Sequence, residues 1–198
     1  MNLAPLLLCG CLLSAEAPSP DALTAHLKAF SVLHVDFTQT RTLAALSRPL
    51  KSSGSMTLAR EQGVLWQIRK PLALGFLIKP RGLQEVDADG RARPGTAKDA
   101  PMVAQMGRIF QALLQGRWSA LDELFTLRAE GSPERWRIVL APRPRTAAFI
   151  KAIQISGGPF IDKVQVEEPS GDRMDLVFER PRTAEPLTEV EARLFKGE

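Results

Sequence analysis

The chain has almost no cysteine or histidine. Its two cysteines, Cys9 and Cys11, lie in the first residues, so a chain that loses this segment can form no disulfide and has no thiol nucleophile or thiol metal ligand. Its two histidines, His26 and His34, have neither a His-x-x-x-His spacing nor an acidic cluster beside them. A metal site is therefore not expected.

Other signatures of catalysis and of nucleic-acid binding are also missing. No serine lies in a Gly-x-Ser-x-Gly elbow, and no glycine-rich phosphate loop is present. The formal net charge is +4, but the basic residues are dispersed and form no block, which argues against nucleic acid as a partner. The pattern favours a binding protein without a cofactor, with at most a loose attraction to anionic membrane surfaces.

The chain opens on an apolar run, Leu3–Leu13, followed by the small-x-small pattern Ala15-Glu16-Ala17. This arrangement is typical of a secretory signal peptide and is too short to span a membrane. We predict a signal peptide over residues 1–17 and one exported domain over residues 18–198, which is long enough to bury a core. The alternative is a lipoprotein box, with Cys11 as the lipidated residue.

Three short runs with alternating apolar residues lie between Pro49 and Pro80, and turn residues separate them. Period-two alternation punctuated by glycine and proline predicts a β-meander. Because side chains two apart share a face, one face of this sheet collects the apolar residues. They are Met56, Leu58, Val64, Trp66, Ile68, Leu72, Leu74, Phe76 and Ile78. This face is either filled by the protein's own side chains or left open for a ligand.

Further elements are predicted on both sides of the meander. Asp21 is expected to cap a helix to about Ser31 that either packs flat on the sheet or acts as a lid. Val32–Thr42 is the first strand, and Asp89-Gly90 is the turn of a hairpin that begins with Leu83–Ala88. A loop over Arg91–Ala100 then precedes a helix that begins at Pro101.

That helix carries a methionine-rich apolar stripe with Met102, Met106 and Phe110, which is either ordinary core or an adaptable cover for apolar ligands. A second short helix is expected to be capped by Ser119. The rest of the chain predicts five more strands. They are Phe125–Ala129, Trp136–Ala141, Ile150–Ser156, Ile161–Glu168 and Met174–Phe178. The alternative for Ala147–Ile153 is a helical turn.

Thr188 and Glu191 form a capping box that predicts a C-terminal helix within Glu185–Phe195. The expected fold is mostly β (α+β), with one antiparallel, barrel-like sheet interrupted by a helix pair.

An ordered series of short motifs resembles a known family. The motifs are Phe37-Thr38-Gln39, Ser53-Gly54, Gly63-x-Leu65-Trp66, Pro71, Leu74-x-Phe76-x-Ile78, Pro80 and Asp89-Gly90. Together they resemble the periplasmic outer-membrane lipoprotein carriers (LolA-like), as a divergent branch. The resemblance implies a half-open antiparallel β-barrel with lid helices over a concave apolar face that holds acyl chains. It also implies a periplasmic carrier, not an enzyme, that takes cargo from an inner-membrane export complex and delivers it to an outer-membrane acceptor. We expect a monomer without a cofactor.

The resemblance assigns roles to particular residues. The acyl-binding cavity would be lined by Phe37, Met56, Leu58, Trp66, Ile68, Leu74, Phe76 and Ile78. The lid would contain Leu27, Phe30, Met102, Met106 and Phe110. Arg69 or Lys70 would form a latch at the rim, because the family's arginine before the proline is Lys70 here and Arg69 precedes it.

The sequence departs from the family pattern at Lys70, and Leu74 stands where the family has an aromatic residue. The cargo is therefore either an acylated lipoprotein or another lipidic molecule, such as a glycolipid or fatty-acid conjugate. Two rival functions remain open: a lipid-ester hydrolase that uses the same pocket, and a structural envelope scaffold without ligand.

Overall fold

The protein is described by a computed structural model, which covers residues 17–79, 82–87, 91–94, 112 and 117–197. Eleven strands in this part of the chain form one antiparallel sheet. They are β1 Val32–Thr42, β2 Leu50–Ala59, β3 Gly63–Lys70, β4 Leu74–Lys79, β5 Gly82–Val86, β6 Ala92–Pro94, β7 Phe125–Ser132, β8 Arg135–Pro142, β9 Ala152–Gly157, β10 Ile161–Glu167 and β11 Arg173–Arg182.

The strand order is β6-β5-β4-β3-β2-β1-β11-β10-β9-β8-β7. The sheet therefore consists of two meanders, β1–β6 and β7–β11, joined where β1 pairs with β11. Within the described residues β6 and β7 do not pair, so the sheet is open. This topology confirms the prediction of a half-open antiparallel sheet.

The sheet curls around one of its faces. Five strand spacings separate β1 from β7, or about 24 Å along a flat sheet, yet the helix that precedes β1 contacts β7. We call the face that carries Phe37, Met56 and Trp66 the inner face, and the face that carries His34, Thr57 and Leu65 the outer face. The end where β1 finishes and β2 begins is the upper end.

Four short helical segments have bounds within the described residues. They are α1 Pro20–Thr24, a 3₁₀ helix Ala25–Lys28, a 3₁₀ helix Trp118–Leu121 and α2 Glu189–Lys196. The first helix begins one residue before Asp21, because Ser19 is its N-cap and accepts a hydrogen bond from the Ala22 amide at 3.1 Å. The predicted cap at Asp21 was therefore wrong, as was the cap at Ser119, which lies inside a 3₁₀ helix without a side-chain cap.

Two further predictions needed correction. Leu72 does not lie on the apolar face, because it falls in the turn between β3 and β4 and is 78% exposed. The loop predicted over Arg91–Ala100 contains β6, which pairs with β5 and completes the predicted hairpin. The predicted turn Asp89-Gly90 and the methionine-rich helix with Met102, Met106 and Phe110 lie outside the described residues.

The buried apolar side chains form two clusters on opposite faces. The larger cluster covers the inner face from β3 to β7 and includes Leu23 and Leu27 of the N-terminal helical segment. The smaller cluster lies on the outer face, where Leu194 and Phe195 of α2 pack against Leu65 of β3 and its neighbours. The capping box of α2 is present as predicted, and α2 gives the first meander a cover on its outer face.

Candidate functional site

The residues predicted to line the acyl cavity all lie on the inner face. Strand pairing places Met56 opposite Trp66, Trp66 opposite Phe76, and Ile68 opposite Leu74. Because side chains alternate along a strand, these register partners fix the whole set on one face. An apolar surface thus extends across β1–β4.

Aromatic rings form the floor of this surface at its centre. The ring centroids of Phe37 and Trp66 lie 4.0 Å apart at an angle of 31°, and Phe178 meets Trp66 edge-on at 6.3 Å and 84°. Phe37 is 2% exposed and Trp66 is 9% exposed. Such aromatic pairs add attraction beyond their buried area, so this part of the inner face is filled by the protein's own side chains.

The apolar surface is less covered along β3 and β4. Ile68, Leu74, Phe76 and Ile78 are only partly buried, whereas Met56 and Leu58 on the neighbouring strand are 1% and 0% exposed. Ile68, Phe76 and Ile78 border the buried inner-face cluster. The partly buried apolar area therefore continues from the packed floor towards β4, and this area is the candidate binding face.

The N-terminal helical segment closes the inner face at the lower end of β1, β10 and β11. Leu27 is buried and Phe30 is partly buried, with the Phe30 ring centroid 5.8 Å from that of Phe160. The pocket left between this segment and the sheet holds about 20 Å³, which is room for about one water molecule. The segment therefore fills the inner face at this end of β1, β10 and β11.

Arg60, in the turn between β2 and β3, fastens this segment. Its guanidinium lies 5.4 Å from the Phe30 ring centroid and donates hydrogen bonds to the carbonyl oxygens of Phe30, at 2.9 Å, and of Leu27. Desolvation by burial lowers the pKa of Arg60. A guanidinium can donate hydrogen bonds to several carbonyl oxygens at once. Arg60 therefore attaches the end of the N-terminal helical segment to the sheet.

Two further contacts fix the same segment to the 3₁₀ helix before β7 and to the turn between β9 and β10. Trp118 Nε1 donates to the hydroxyl of buried Thr24 at 2.7 Å. His26 Nε2 donates to the carbonyl oxygen of Gly158 at 2.8 Å, and Trp136 Nε1 donates to the same oxygen at 2.9 Å. The segment is thus hydrogen-bonded to loops of both meanders, as is expected of a helix that packs on the sheet. Its role as a lid stays a prediction.

Arg69 does not reach the inner face through its described contacts. It is the extra residue of a bulge, since Gly54 pairs with Ile68 and Ser53 pairs with Lys70. Its Nη2 donates to Ser55 Oγ at 3.0 Å, and its Nη1 lies 4.0 Å from Asp36 Oδ1 on the outer face. Lys70 is exposed at the end of β3. The predicted latch role of these two cations stays a prediction.

A buried polar cluster that sequence reasoning missed lies beneath α2 on the outer face. The Glu191 carboxylate accepts hydrogen bonds from Thr57 Oγ1 at 2.6 Å, from Thr188 N and Oγ1 at 2.8 and 2.9 Å, and from His34 Nε2 at 3.2 Å. Burial by itself would raise the pKa of Glu191, but these hydrogen bonds outweigh it and lower the pKa. The capping-box pattern identifies Glu191 as a helix-capping residue. No local sequence pattern identifies His34 as its hydrogen-bond partner.

This cluster borders an outer-face pocket of about 290 Å³, which Arg69, Arg182 and the start of α2 also line. The charged groups around it satisfy one another. Asp36 is paired with Arg180 at 2.8 Å and with Arg182 at 3.8 Å, and Arg182 also donates to Glu185 at 3.1 Å. These ion pairs neutralise the charges around the pocket. The pocket lies where α2 packs on the outer face.

The hydrolase alternative predicted a serine beside one of the histidines. In the part of the chain that the structure describes, the hydrogen-bond partners of His26 and His34 are a carbonyl and a carboxylate, and no serine hydroxyl bonds to either ring. The described residues also contain no group of three or more side chains suited to hold a metal ion. None of their helices has the length and apolar character needed to cross a membrane.

Comparison with known proteins places the chain in a family. The family described as "Outer membrane lipoprotein carrier protein LolA-like" matches residues 14–162. Because this match spans most of the sequence, the chain belongs to that family. The match includes β1–β9 and thus the whole candidate binding face.

Solved structures with similar folds are all distant in sequence. The LolA superfamily protein NE2245 from Nitrosomonas europaea is 8% identical with a TM-score of 0.49, covering 88% of this chain and 98% of that one. MucB is 14% identical with a TM-score of 0.45, covering 86% of this chain and 62% of that one. The MucA/MucB complex from Pseudomonas aeruginosa is 17% identical with a TM-score of 0.37, covering 86% and 58%. No curated protein sequence matches the chain significantly.

Proposed function

We propose that the protein is a periplasmic carrier that holds the acyl chains of a lipidic cargo against the inner face of β1–β4. The supporting observation is the partial burial of Ile68, Leu74, Phe76 and Ile78 beside a packed floor, within the region that matches the carrier family. The cargo is an acylated lipoprotein or another acyl-bearing molecule. The carrier receives it from an inner-membrane export complex and delivers it to an outer-membrane acceptor.

The physical basis is the burial of apolar area. An acyl chain gains about 25 cal/mol for each Å² removed from water, or roughly 0.8 kcal/mol for each methylene group. The candidate face offers branched and aromatic side chains for this contact. At the lower end of β1, β10 and β11 the inner face is filled by Leu27 and Phe30, so the chain would lie beside this region, along β3 and β4. The protein acts as a monomer, with Arg69 or Lys70 at the rim and residues of the methionine-rich segment as cover.

The proposal is tested by placing a charge on the candidate face. Ile78→Glu introduces a carboxylate where an acyl chain would lie, and a buried unpaired charge is strongly disfavoured. We expect titration with a fluorescent fatty-acid probe to show binding at least tenfold weaker in Ile78→Glu than in the wild type. Thermal unfolding of the same preparations shows that the variant is folded at the temperature of the titration.

The matched control is Val177→Glu, which adds the same group at a partly exposed apolar residue on the outer face. It should bind the probe like the wild type. Equal losses in both variants, or no binding by the wild type, would contradict the carrier proposal and favour the structural scaffold. Release of a free fatty acid from an ester probe would favour the hydrolase.

A further inference from the structure

Exposed large apolar side chains are concentrated at the upper end of the sheet. Six such residues occur in the described part of the chain, and four of them lie in or beside upper loops. They are Leu46 (48% exposed), Leu50 (52%), Leu72 (78%) and Phe149 (66%). Single exposed apolar residues are ordinary, but these four project from the same end of the molecule, where they can meet one flat apolar surface together. We call these four residues the upper apolar rim.

Each residue of the upper apolar rim has basic neighbours in its own loop. The segments 43–51, 70–73 and 142–151 contain no acidic residue. Their basic residues are Arg48, Lys51, Lys70, Arg143, Arg145 and Lys151, and all of these are exposed. The rim therefore combines apolar tips with a surrounding positive charge.

Some of the acidic groups at the same end are engaged in contacts of their own. Asp172 accepts a hydrogen bond from the Ala44 amide at 2.8 Å, and Glu168 lies 3.7 Å from Arg41. Glu167 lies 3.7 Å from Lys151. Further acidic side chains, Asp122 and Glu123, stand exposed just before β7. The positive charge thus predominates in the loops that carry the apolar tips, not over the whole end.

Internal contacts hold two of these loops, so their apolar tips are presented outwards. The Ala44–Asp172 bond ties the β1–β2 loop to the β10–β11 turn. In the β8–β9 loop, Thr146 and Ile150 are 2% and 7% exposed, and the amides of Phe149 and Ile150 both donate to the Thr146 carbonyl at 3.0 Å. Phe149 therefore projects from a loop whose base is packed.

We propose that the upper apolar rim docks on the surface of an anionic phospholipid bilayer. The apolar tips would enter the boundary between headgroups and acyl chains, and the basic residues would meet the lipid phosphates. Membrane affinity of this type grows with the apolar area that is buried and with the charge of the lipid. Leu74, the first inner-face residue of β4, follows Leu72 by two positions, so the docked rim would lie next to the candidate binding face.

The test is co-sedimentation of the purified protein with vesicles. One set contains phosphatidylcholine alone, and the other contains phosphatidylcholine mixed with phosphatidylglycerol. The wild type should bind the anionic vesicles and bind the neutral ones much more weakly. Added salt should weaken the binding, because screening shortens the reach of the charges.

Two variants separate the apolar and the charged contributions. Leu72→Ser with Phe149→Ser should reduce binding to anionic vesicles by about tenfold or more, since binding scales with buried apolar area. The double variant Lys51→Gln with Arg145→Gln should reduce binding to anionic vesicles by roughly fivefold for each of the two charges that reaches the membrane surface. This factor corresponds to about 1 kcal/mol per basic residue.

The matched controls change the same kinds of residue elsewhere. Val177→Ser with Val190→Ser removes the other two exposed apolar residues, and Arg135→Gln with Arg193→Gln removes exposed charges away from the rim. Both should sediment like the wild type. The proposal would be overturned if the wild type sedimented with neither type of vesicle, or if the controls lost as much binding as the rim variants.

The proposal is independent of the proposed cargo, and a second readout keeps the two apart. The rim variants should bind the fatty-acid probe like the wild type, because their changes leave β3 and β4 intact. If probe binding fails in every preparation while vesicle binding follows the rim, the carrier function is wrong and membrane docking stands.

Discussion

The two meanders of the sheet bury their inner faces to different extents. In β8–β10 the inner face is closely packed, with Trp136 and Ile155 each 1% exposed and Ile138 fully buried. In β3 and β4 of the first meander, Ile68 and Ile78 occupy equivalent inner-face positions but are only partly buried. The same apolar alternation therefore gives a fully buried inner face on β8–β10 and a partly buried one on β4 and the end of β3.

The outer faces differ in the opposite sense. In the first meander α2 covers Leu65, Leu77 and Val86, and Glu191 anchors the helix to His34 and Thr57. The outer face of β8 instead carries exposed residues such as Arg137, which is 3.6 Å from Glu130. The half with the partly buried inner-face residues is thus stabilised by α2 on its outer face.

The largest effect expected from this difference concerns matched isoleucines. Ile155→Ala should cost about 2–5 kcal/mol, because it leaves a cavity in a close-packed core. Ile78→Ala should cost only about 1–2 kcal/mol, because part of that side chain already faces open space. Denaturant unfolding of the two variants gives both values; equal costs would show that the inner face is packed alike in both halves.

A smaller effect should come from the anchor of α2. Glu191→Gln should lower stability at neutral pH by about 1–3 kcal/mol, because the buried donors around the carboxylate lose their charged acceptor. The exposed Glu189 on the same helix provides the control: Glu189→Gln should change stability by less than about 1 kcal/mol, which is the size of a helix-dipole contribution. Denaturant unfolding of both variants measures the difference.

The same pair of variants tests the pKa of Glu191. Because the folded-state pKa lies below the unfolded value of about 4.3, the charged form stabilises the fold above that value. This contribution is lost as the pH falls through the lower, folded-state pKa. The advantage of the wild type over Glu191→Gln should therefore shrink in acid, and an advantage that stays constant with pH would contradict the assigned hydrogen bonds.

Local patterns allowed much of the fold to be predicted. Val32–Thr42 was predicted with the bounds that the structure shows, because its alternation is regular and turns flank it. The capping box of α2 was also evident, since its two residues are three positions apart. Leu72 was assigned to the wrong environment because alternation alone does not show that a strand begins only at Leu74.

The missed features depend on residues far apart in the chain. His34 and Glu191 are separated by 157 positions, so only the pairing of β1 with β2 and the return of α2 bring them together. The degree of burial on the inner face is equally non-local: Ile78 and Ile155 look alike in sequence, and what packs above each strand distinguishes them.

The central claim is that the partly buried apolar area along β3 and β4 holds acyl chains. Its most direct test is mass spectrometry of organic extracts from the protein purified out of the envelope in which it is made. We predict co-purifying acyl-bearing molecules with the wild type and with Val177→Glu, and far less with Ile78→Glu. Extracts without acyl-bearing molecules, or equal amounts from all three proteins, would contradict the account.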